Sequence, residues 1–129
     1  MKLHAHPTVE LAITAITPLS LSVAQAAHAS SIQVGRAQGV TPWSATTLDD
    51  ISEADIAHWA AQRPELVVLG TGAKHRFLAP KLAVMLAQNG VGLECMTTPA
   101  AARTYNVLLD EGRNVLGAFI LETMPTAQV

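Results

Sequence analysis

The stretch ELVVLGTGAKHRF, residues 65–77, decides the fold class of this chain. It begins with an apolar run typical of a buried strand, passes through two glycines, and ends in three basic side chains and a phenylalanine. A helix-like segment that ends in glycine, APKLAVMLAQNG (79–90), follows it, and then a second short apolar run, VGLECM (91–96). This order predicts a parallel strand–helix–strand unit.

The segments that flank this unit continue the alternation of helices and strands. Downstream, Thr98 is predicted to cap a helix that has Pro99 at its first position and ends at Gly112, and NVLGAFILE (114–122) supplies a last strand. Upstream, ISEADIAHWAAQRP (51–64) has the N-cap and helical spacing of a helix that covers the sheet. Together these patterns predict a layered α/β domain with a mixed sheet.

The N-terminal third is predicted to form a small β-meander. Apolar residues alternate along two runs, with Val9, Leu11, Ile13 and Ala15 on one face and Leu19, Leu21 and Val23 on another. SIQVG (31–35) is the predicted third strand, and GVTPW (39–43) is predicted to lead into a loop. The register of these strands, over residues 9–34, stays open.

A signal peptide is the alternative interpretation of the same region. Residues 1–29 carry Lys2, an apolar middle and small residues near a potential cleavage point. Because Glu10 and Pro18 interrupt the apolar run, its longest clean piece is too short for a signal core or a membrane span, and strands are the favoured interpretation.

The bulk composition limits the classes of function. A chain of 129 residues that is 50% apolar suits one domain, residues 1–129, with flexible ends at 1–8 and 123–129. The net charge of -2 does not favour a nucleic-acid partner. A single cysteine, Cys95, excludes an internal disulfide, so a reducing, cytoplasmic location is expected. No transmembrane segment is predicted. Self-association stays open, because unpaired edges of the N-terminal strands could pair with another copy of the chain.

Two loops are candidates for a binding site. GTGAKHRF (70–77) and MTTPA (96–100) each follow a strand, and the carboxyl ends of parallel strands meet at one edge of a sheet, so both loops are expected to face one crevice. The basic residues Lys74, His75 and Arg76 suggest an anion. The spacing matches neither a P-loop nor a dinucleotide fingerprint. A simple glycine turn remains the alternative to an anion site.

No complete catalytic set is found. The histidines include one close pair, His4 and His6, which is too few for a zinc site, and G-x-S-x-G is absent, so no metal or cofactor is predicted. Cys95 is either a small buried residue or a nucleophile. Arg103, Asn106 and Asp110 share one helix face, which is either solvated or aimed into the crevice.

Four segments carry a resemblance to a known family: TPW (41–43), LGTGAKHRF (69–77), GVGLECMTTPAAARTYNVLLDEGRNV (90–115) and the closing apolar strand. From about Ile13 to Leu121 the chain resembles a small single-domain family of unknown function. That family includes a mitochondrial assembly factor for respiratory complex I, an adipogenesis-associated protein and many uncharacterised bacterial proteins. The resemblance implies a three-layer α/β domain with a mixed central sheet of about five strands, helices and an extra N-terminal β-hairpin layer.

The resemblance also implies a candidate surface for a ligand or partner, with no established catalytic residues. Its residues are Gly70, Thr71, Gly72, Arg76, Phe77, Thr97, Arg103, Thr104, Tyr105 and Asn106. The first hypothesis is a cytoplasmic binding or assembly-type module that presents this crevice to a protein partner or a small anion. The second is an enzyme acting on a small anion, with Arg76 and Arg103 as anchors and Cys95 or Tyr105 as the chemical group.

Overall fold

A five-stranded mixed sheet forms the centre of the fold, and the computed structural model describes residues 11–17 and 20–122 of the chain. The strands in these ranges are β1 (Ile13–Thr17), β2 (Ser20–Val23), β3 (Ala26–His28), β4 (Ile32–Gly35), β5 (Gly39–Pro42), β6 (Leu66–Gly70), β7 (Gly92–Met96) and β8 (Val115–Phe119). The helices there are α1 (Glu53–Ala61), α2 (Pro80–Gln88) and α3 (Thr98–Asp110), besides a 3-10 helix at Leu48–Asp50.

The central sheet has the strand order β5-β4-β8-β6-β7. β6 runs parallel to both β7 and β8, whereas β4 runs antiparallel to β5 and β8. The predicted parallel unit is therefore confirmed as β6-α2-β7, and the sheet is mixed as expected.

Strand β6 is apolar throughout because both of its faces are covered. Val67 and Leu69 lie in a core with α1 and α2, while Val68 lies in a second core with α3 on the opposite face. A separate three-stranded sheet of order β1-β2-β3 also contributes to this second core, through Ile13, Leu21 and Val23. These elements make the three layers, including the additional N-terminal β layer, that the family resemblance implied.

The N-terminal prediction was wrong in two places. SIQVG is not the third strand of the meander, because β4 pairs with β8 and β5 in the central sheet. The third strand of the meander is Ala26–His28, which was not predicted because its alanines do not favour a strand. The segment Gly39–Pro42 is the edge strand β5, where a terminal proline is tolerated, and it leads into a loop at Trp43 as predicted.

Smaller corrections concern register and the ends of elements. A register shift between Ile13 and Ala15 leaves Ile13 buried and Ala15 exposed, although the sequence placed them on one face. The N-cap of α3 is Thr97, one residue before the predicted Thr98, and Pro99 takes the second helical position. Val9, Leu19 and the predicted flexible ends, 1–8 and 123–129, lie outside the described residues.

In the turn between β2 and β3, two residues other than glycine have backbone angles in the left-handed region. Ala24 has φ +50° and Gln25 has φ +72°, a pair of angles that suits Asn-Gly in a two-residue hairpin. We expect the double substitution Ala24→Asn with Gln25→Gly to raise the free energy of unfolding by about 1–2 kcal/mol. Urea unfolding of the purified protein checks this. Ala37→Asn, where φ is not positive, serves as control, and an equal gain there would contradict the explanation.

Candidate functional site

The two predicted loops lie next to each other at the carboxyl ends of β6 and β7, and backbone hydrogen bonds join them. The Thr71 N–H donates to the Met96 carbonyl at 2.8 Å, and the Thr98 N–H donates to the Gly72 carbonyl at 2.9 Å. These two bonds join the loops into a seam (Thr71–Gly72 against Met96–Thr98), in which the bonded N–H and carbonyl groups have partners within the protein.

Thr98 is the centre of this seam. Its side chain is buried, and its Oγ1 donates to the Ile120 carbonyl at 2.6 Å and accepts from the Gly72 N–H at 2.9 Å. One hydroxyl thus connects the end of β8, the glycine loop and the start of α3. The sequence identified Thr98 only as a helix cap, because nothing local indicates a contact with Ile120.

The two glycines of the loop have steric reasons to be glycine. A Cβ at Gly70 would lie 2.8 Å from Thr98 Oγ1, so the strand could not approach α3 as closely with any side chain. Gly72 has φ +100°, and a Cβ there would lie 2.8 Å from Glu122 Oε2. These contacts support the glycine-turn interpretation of the GTG segment.

The rest of the loop projects into solvent from a fixed base. Thr71 is buried and its Oγ1 donates to the Lys74 carbonyl at 2.6 Å, while Leu78 is buried in the core at the other end. The four residues between Ala73 and Leu78, which we call the Phe77 loop (Lys74–Phe77), are all exposed. The loop is thus held at both ends while its side chains face outward.

Three contacts order the side chains of the Phe77 loop. His75 Nε2 lies 3.1 Å from the Cys95 carbonyl oxygen, and Arg76 forms an ion pair with Asp49 at 3.0 Å. Phe77 packs edge-on against the His75 ring, with 4.6 Å between ring centroids, yet 76% of Phe77 is exposed. An aromatic side chain this exposed on an anchored loop has no role in the core of the fold.

On α3, Tyr105 and Asn106 attach the additional β layer. Tyr105 is fully buried edge-on against Phe119, and its hydroxyl donates to the Leu11 carbonyl at 3.0 Å. Asn106 binds both backbone groups of Ile13, donating to its carbonyl at 2.7 Å and accepting from its N–H at 2.8 Å. Burial raises the pKa of Tyr105 far above its usual range, so its hydroxyl stays protonated.

The other predicted residues of α3 and its cap divide between structure and surface. Thr97 is half-buried at the N-cap, and Thr104 Oγ1 donates to Met96 Sδ at 3.2 Å. Arg103 and Asp110 are exposed. The structure therefore brings Thr104 toward the end of β7, whereas Arg103 lies on the solvent face of the helix.

Cys95 has the surroundings of a packing residue. It is half-buried against the core that contains α2, and this burial raises the pKa of its thiol, with the neighbouring charge of Glu94 adding to the effect. A hydrogen bond from the Leu78 backbone acts in the opposite direction and is the smaller influence than burial. A raised pKa leaves little thiolate at neutral pH, so this environment does not activate a nucleophile.

A cleft of about 320 Å³ lies between the glycine loop and the start of α3. Its lining residues are Ile16, Thr17, Gly72, Ala73, Thr98, Pro99, Ile120, Leu121 and Glu122. Glu122 supplies the only ionisable side chain among them. Sequence reasoning found the loop and the helix start but did not predict that the end of β1 and residues 120–122, which come from distant parts of the chain, line the same cleft.

Two further properties concern the described residues only. No group of three His, Cys, Asp or Glu side chains in residues 11–17 and 20–122 is arranged to hold a metal ion. None of the helices in that part of the chain is long and apolar enough to cross a membrane.

Comparison with known proteins relates this architecture to a family. A family model described as "Protein of unknown function (DUF498/DUF598)" matches residues 13–120. An uncharacterised protein of Rhodobacter capsulatus is 37% identical over 120 residues, which cover 91% of each chain. A crystal structure of a Bordetella parapertussis protein superimposes with a TM-score of 0.80 at 33% identity, covering 86% of this chain and 95% of that one.

Several similar proteins have a name that refers to assembly. The Mus musculus protein named NADH dehydrogenase (ubiquinone) 1 alpha subcomplex assembly factor 3 is 37% identical over 86 residues. The match covers 65% of this chain and 46% of the mouse protein, so the chain spans about half the length of that relative.

Proposed function

The chain belongs to the family described as "Protein of unknown function (DUF498/DUF598)", and from this premise we propose that it is a non-catalytic, assembly-type module that binds another protein. Relatives that are named as NADH dehydrogenase assembly factors support a protein partner. The observation that carries the proposal is the 76% exposure of Phe77 on a loop that is fixed at both ends.

The Phe77 loop has the composition of an interface hot spot. Aromatic residues and arginine are enriched at the centres of protein interfaces, and Phe77 stands beside Arg76. The ion pair of Arg76 with Asp49 is exposed, so it stabilises the free protein little and can rearrange in a complex. Because Thr71 and Leu78 hold the loop, little conformational entropy is lost when it binds.

The ten residues predicted as a candidate surface take different parts in this proposal. Arg76 and Phe77 contact the partner directly. Gly70, Thr71 and Gly72 form the base that presents them, and Thr97 begins the adjoining helix. Tyr105 and Asn106 hold the β layer, so they act through the fold. Arg103 and Thr104 are not assigned a contact.

A small anion bound by Arg76 and Arg103, in a binder or an enzyme, was the alternative prediction. The carboxylate of Asp49 beside Arg76 and the carboxylate of Glu122 in the neighbouring cleft both oppose the binding of an anion. These charges favour the protein-binding proposal over an anion site. A cytoplasmic place of action remains a prediction from the cysteine content.

We expect Phe77→Ala to lower the recovery of the protein partner at least tenfold in affinity capture from native cells, because the substitution removes an interface anchor worth about 2 kcal/mol or more. Val107→Ala is the matched control, because Val107 is also an exposed apolar residue (57% exposed) but lies on α3 and not on the Phe77 loop. Circular dichroism checks that both variants remain folded. Equal recovery by wild type and Phe77→Ala would contradict the proposal.

A further inference from the structure

We propose that the cleft between the glycine loop, the start of α3 and the end of β8 binds a small apolar ligand that carries a primary ammonium group, with the carboxylate of Glu122 as its counter-charge. This site is distinct from the Phe77 loop, because none of residues 74–77 lines it. The inference therefore goes beyond the proposed protein-binding function.

The walls of the cleft select an apolar body. Ile16 and Pro99, which are half-buried, and the exposed Ala73 supply accessible apolar surface, while Ile120 and Leu121 line the cleft as buried residues of the two cores. A volume of about 320 Å³ is at the lower end of the range for small-molecule pockets, which are typically about 300–1,000 Å³. The cleft thus has room for one ring or short alkyl chain with a single polar end.

Of the polar side chains that line the cleft, Thr17 and Thr98 are already hydrogen-bonded within the protein, and Glu122 is the only one that carries a charge. Thr98 Oγ1 already donates to the Ile120 carbonyl and accepts from the Gly72 N–H. The Gly72 carbonyl accepts from the Thr98 N–H. Glu122 Oε1 accepts one hydrogen bond, from the Ala73 N–H at 3.3 Å, whereas a carboxylate has about four acceptor positions. An ammonium group, with three donors and no acceptor, matches this spare capacity.

The same contacts disfavour an anion at this place. The N-terminus of a helix can bind an anion through its free N–H groups. At the start of α3, however, the Thr98 N–H is bound to the Gly72 carbonyl and Pro99 has no N–H to donate. A ligand carboxylate or phosphate would instead meet the negative charge of Glu122. The sign of the charge in the cleft is therefore the selective feature of the site.

The test uses three probes with one apolar body and different polar ends: 3-phenylpropylammonium, 3-phenylpropan-1-ol and 4-phenylbutanoate. Each is titrated into ¹⁵N-labelled full-length protein while amide chemical shifts are recorded. We expect saturable shifts at Gly72, Ala73 and Thr98 with the ammonium probe, and an affinity about tenfold higher than that of the alcohol, because a charge-assisted hydrogen bond forms. The butanoate should bind more weakly than the alcohol.

Two variants separate the carboxylate from general charge effects. Glu122→Gln should abolish the advantage of the ammonium probe over the alcohol. Glu111→Gln, at the far end of α3, removes the same charge and should leave that advantage unchanged. The proposal is overturned if 4-phenylbutanoate binds as tightly as the ammonium probe, if Glu122→Gln leaves the ammonium affinity unchanged, or if no saturable shifts occur at the cleft. Phe77→Ala should not alter these titrations, so failure here is distinguishable from failure of the protein-binding proposal.

Discussion

Thr98→Val is expected to lower the free energy of unfolding by about 2–4 kcal/mol, because it leaves two buried backbone groups without a partner. Valine keeps the shape of threonine but removes the hydroxyl that serves the Ile120 carbonyl and the Gly72 N–H. The two groups lie on different loops, so the substitution weakens the connection among β6, β8 and α3 at once.

Urea unfolding of Thr98→Val checks this value, and the preceding threonine supplies the control. Thr97 caps α3 without a side-chain hydrogen bond to the helix, and its carbonyl still accepts from the Ala101 N–H after substitution. Thr97→Val should therefore change the free energy of unfolding by less than about 0.5 kcal/mol. If the two variants lose equal stability, the Thr98 hydroxyl is not the connection we describe.

Gly117→Ala is expected to destabilise the fold by about 3 kcal/mol, because the new methyl group has no space. A Cβ at Gly117 would lie 2.5 and 2.6 Å from two atoms of the Phe119 ring and 3.0 Å from Tyr105 Cδ1. Both rings are fully buried and packed edge-on against each other, so neither can move aside without disturbing the core under α3.

Thermal and urea unfolding measure the effect, with Gly92→Ala as the comparison. Gly92 lies on the edge strand β7, where an added Cβ would be 3.1 Å from Leu66 Cδ1, the end of a flexible side chain, and 3.3 Å from the Glu65 carbonyl oxygen, both longer than the contacts at Gly117 with the Phe119 ring. We expect Gly92→Ala to cost less than about 1 kcal/mol. A similarly small cost at Gly117 would mean that the Tyr105–Phe119 pair can adjust, which would contradict a tightly packed second core.

The central part of the fold was predictable because its signals are local. A continuous apolar run predicted β6 as a buried strand, and the helix N-cap at Ser52, where the Ser52 N–H binds Asp55 Oδ2 at 2.9 Å, was identified from spacing alone. The N-terminal third was less predictable. Short strands such as β3 depend on pairing with β2, and whether β4 joins the meander or the central sheet depends on its distant partner β8.

The candidate site was predictable in its loops but not in its contacts. The glycine loop and the start of α3 were placed together from the rule for parallel strands. The family resemblance placed Tyr105 and Asn106 on a candidate surface, whereas in the structure they bind the backbone of Leu11 and Ile13, more than ninety residues away. Glu122 gave no signal in the sequence, because its carboxylate matters only through its position beside Gly72.

Photo-crosslinking at position 77 tests the central claim, a protein-binding surface formed by the Phe77 loop, most directly. p-Benzoylphenylalanine is introduced at position 77 in one version of the protein and at position 107 in another, and native cells are irradiated. The proposal predicts one discrete, reproducible protein adduct from position 77 and none from position 107. Adducts that are absent at position 77, or that are the same at both positions, would contradict it.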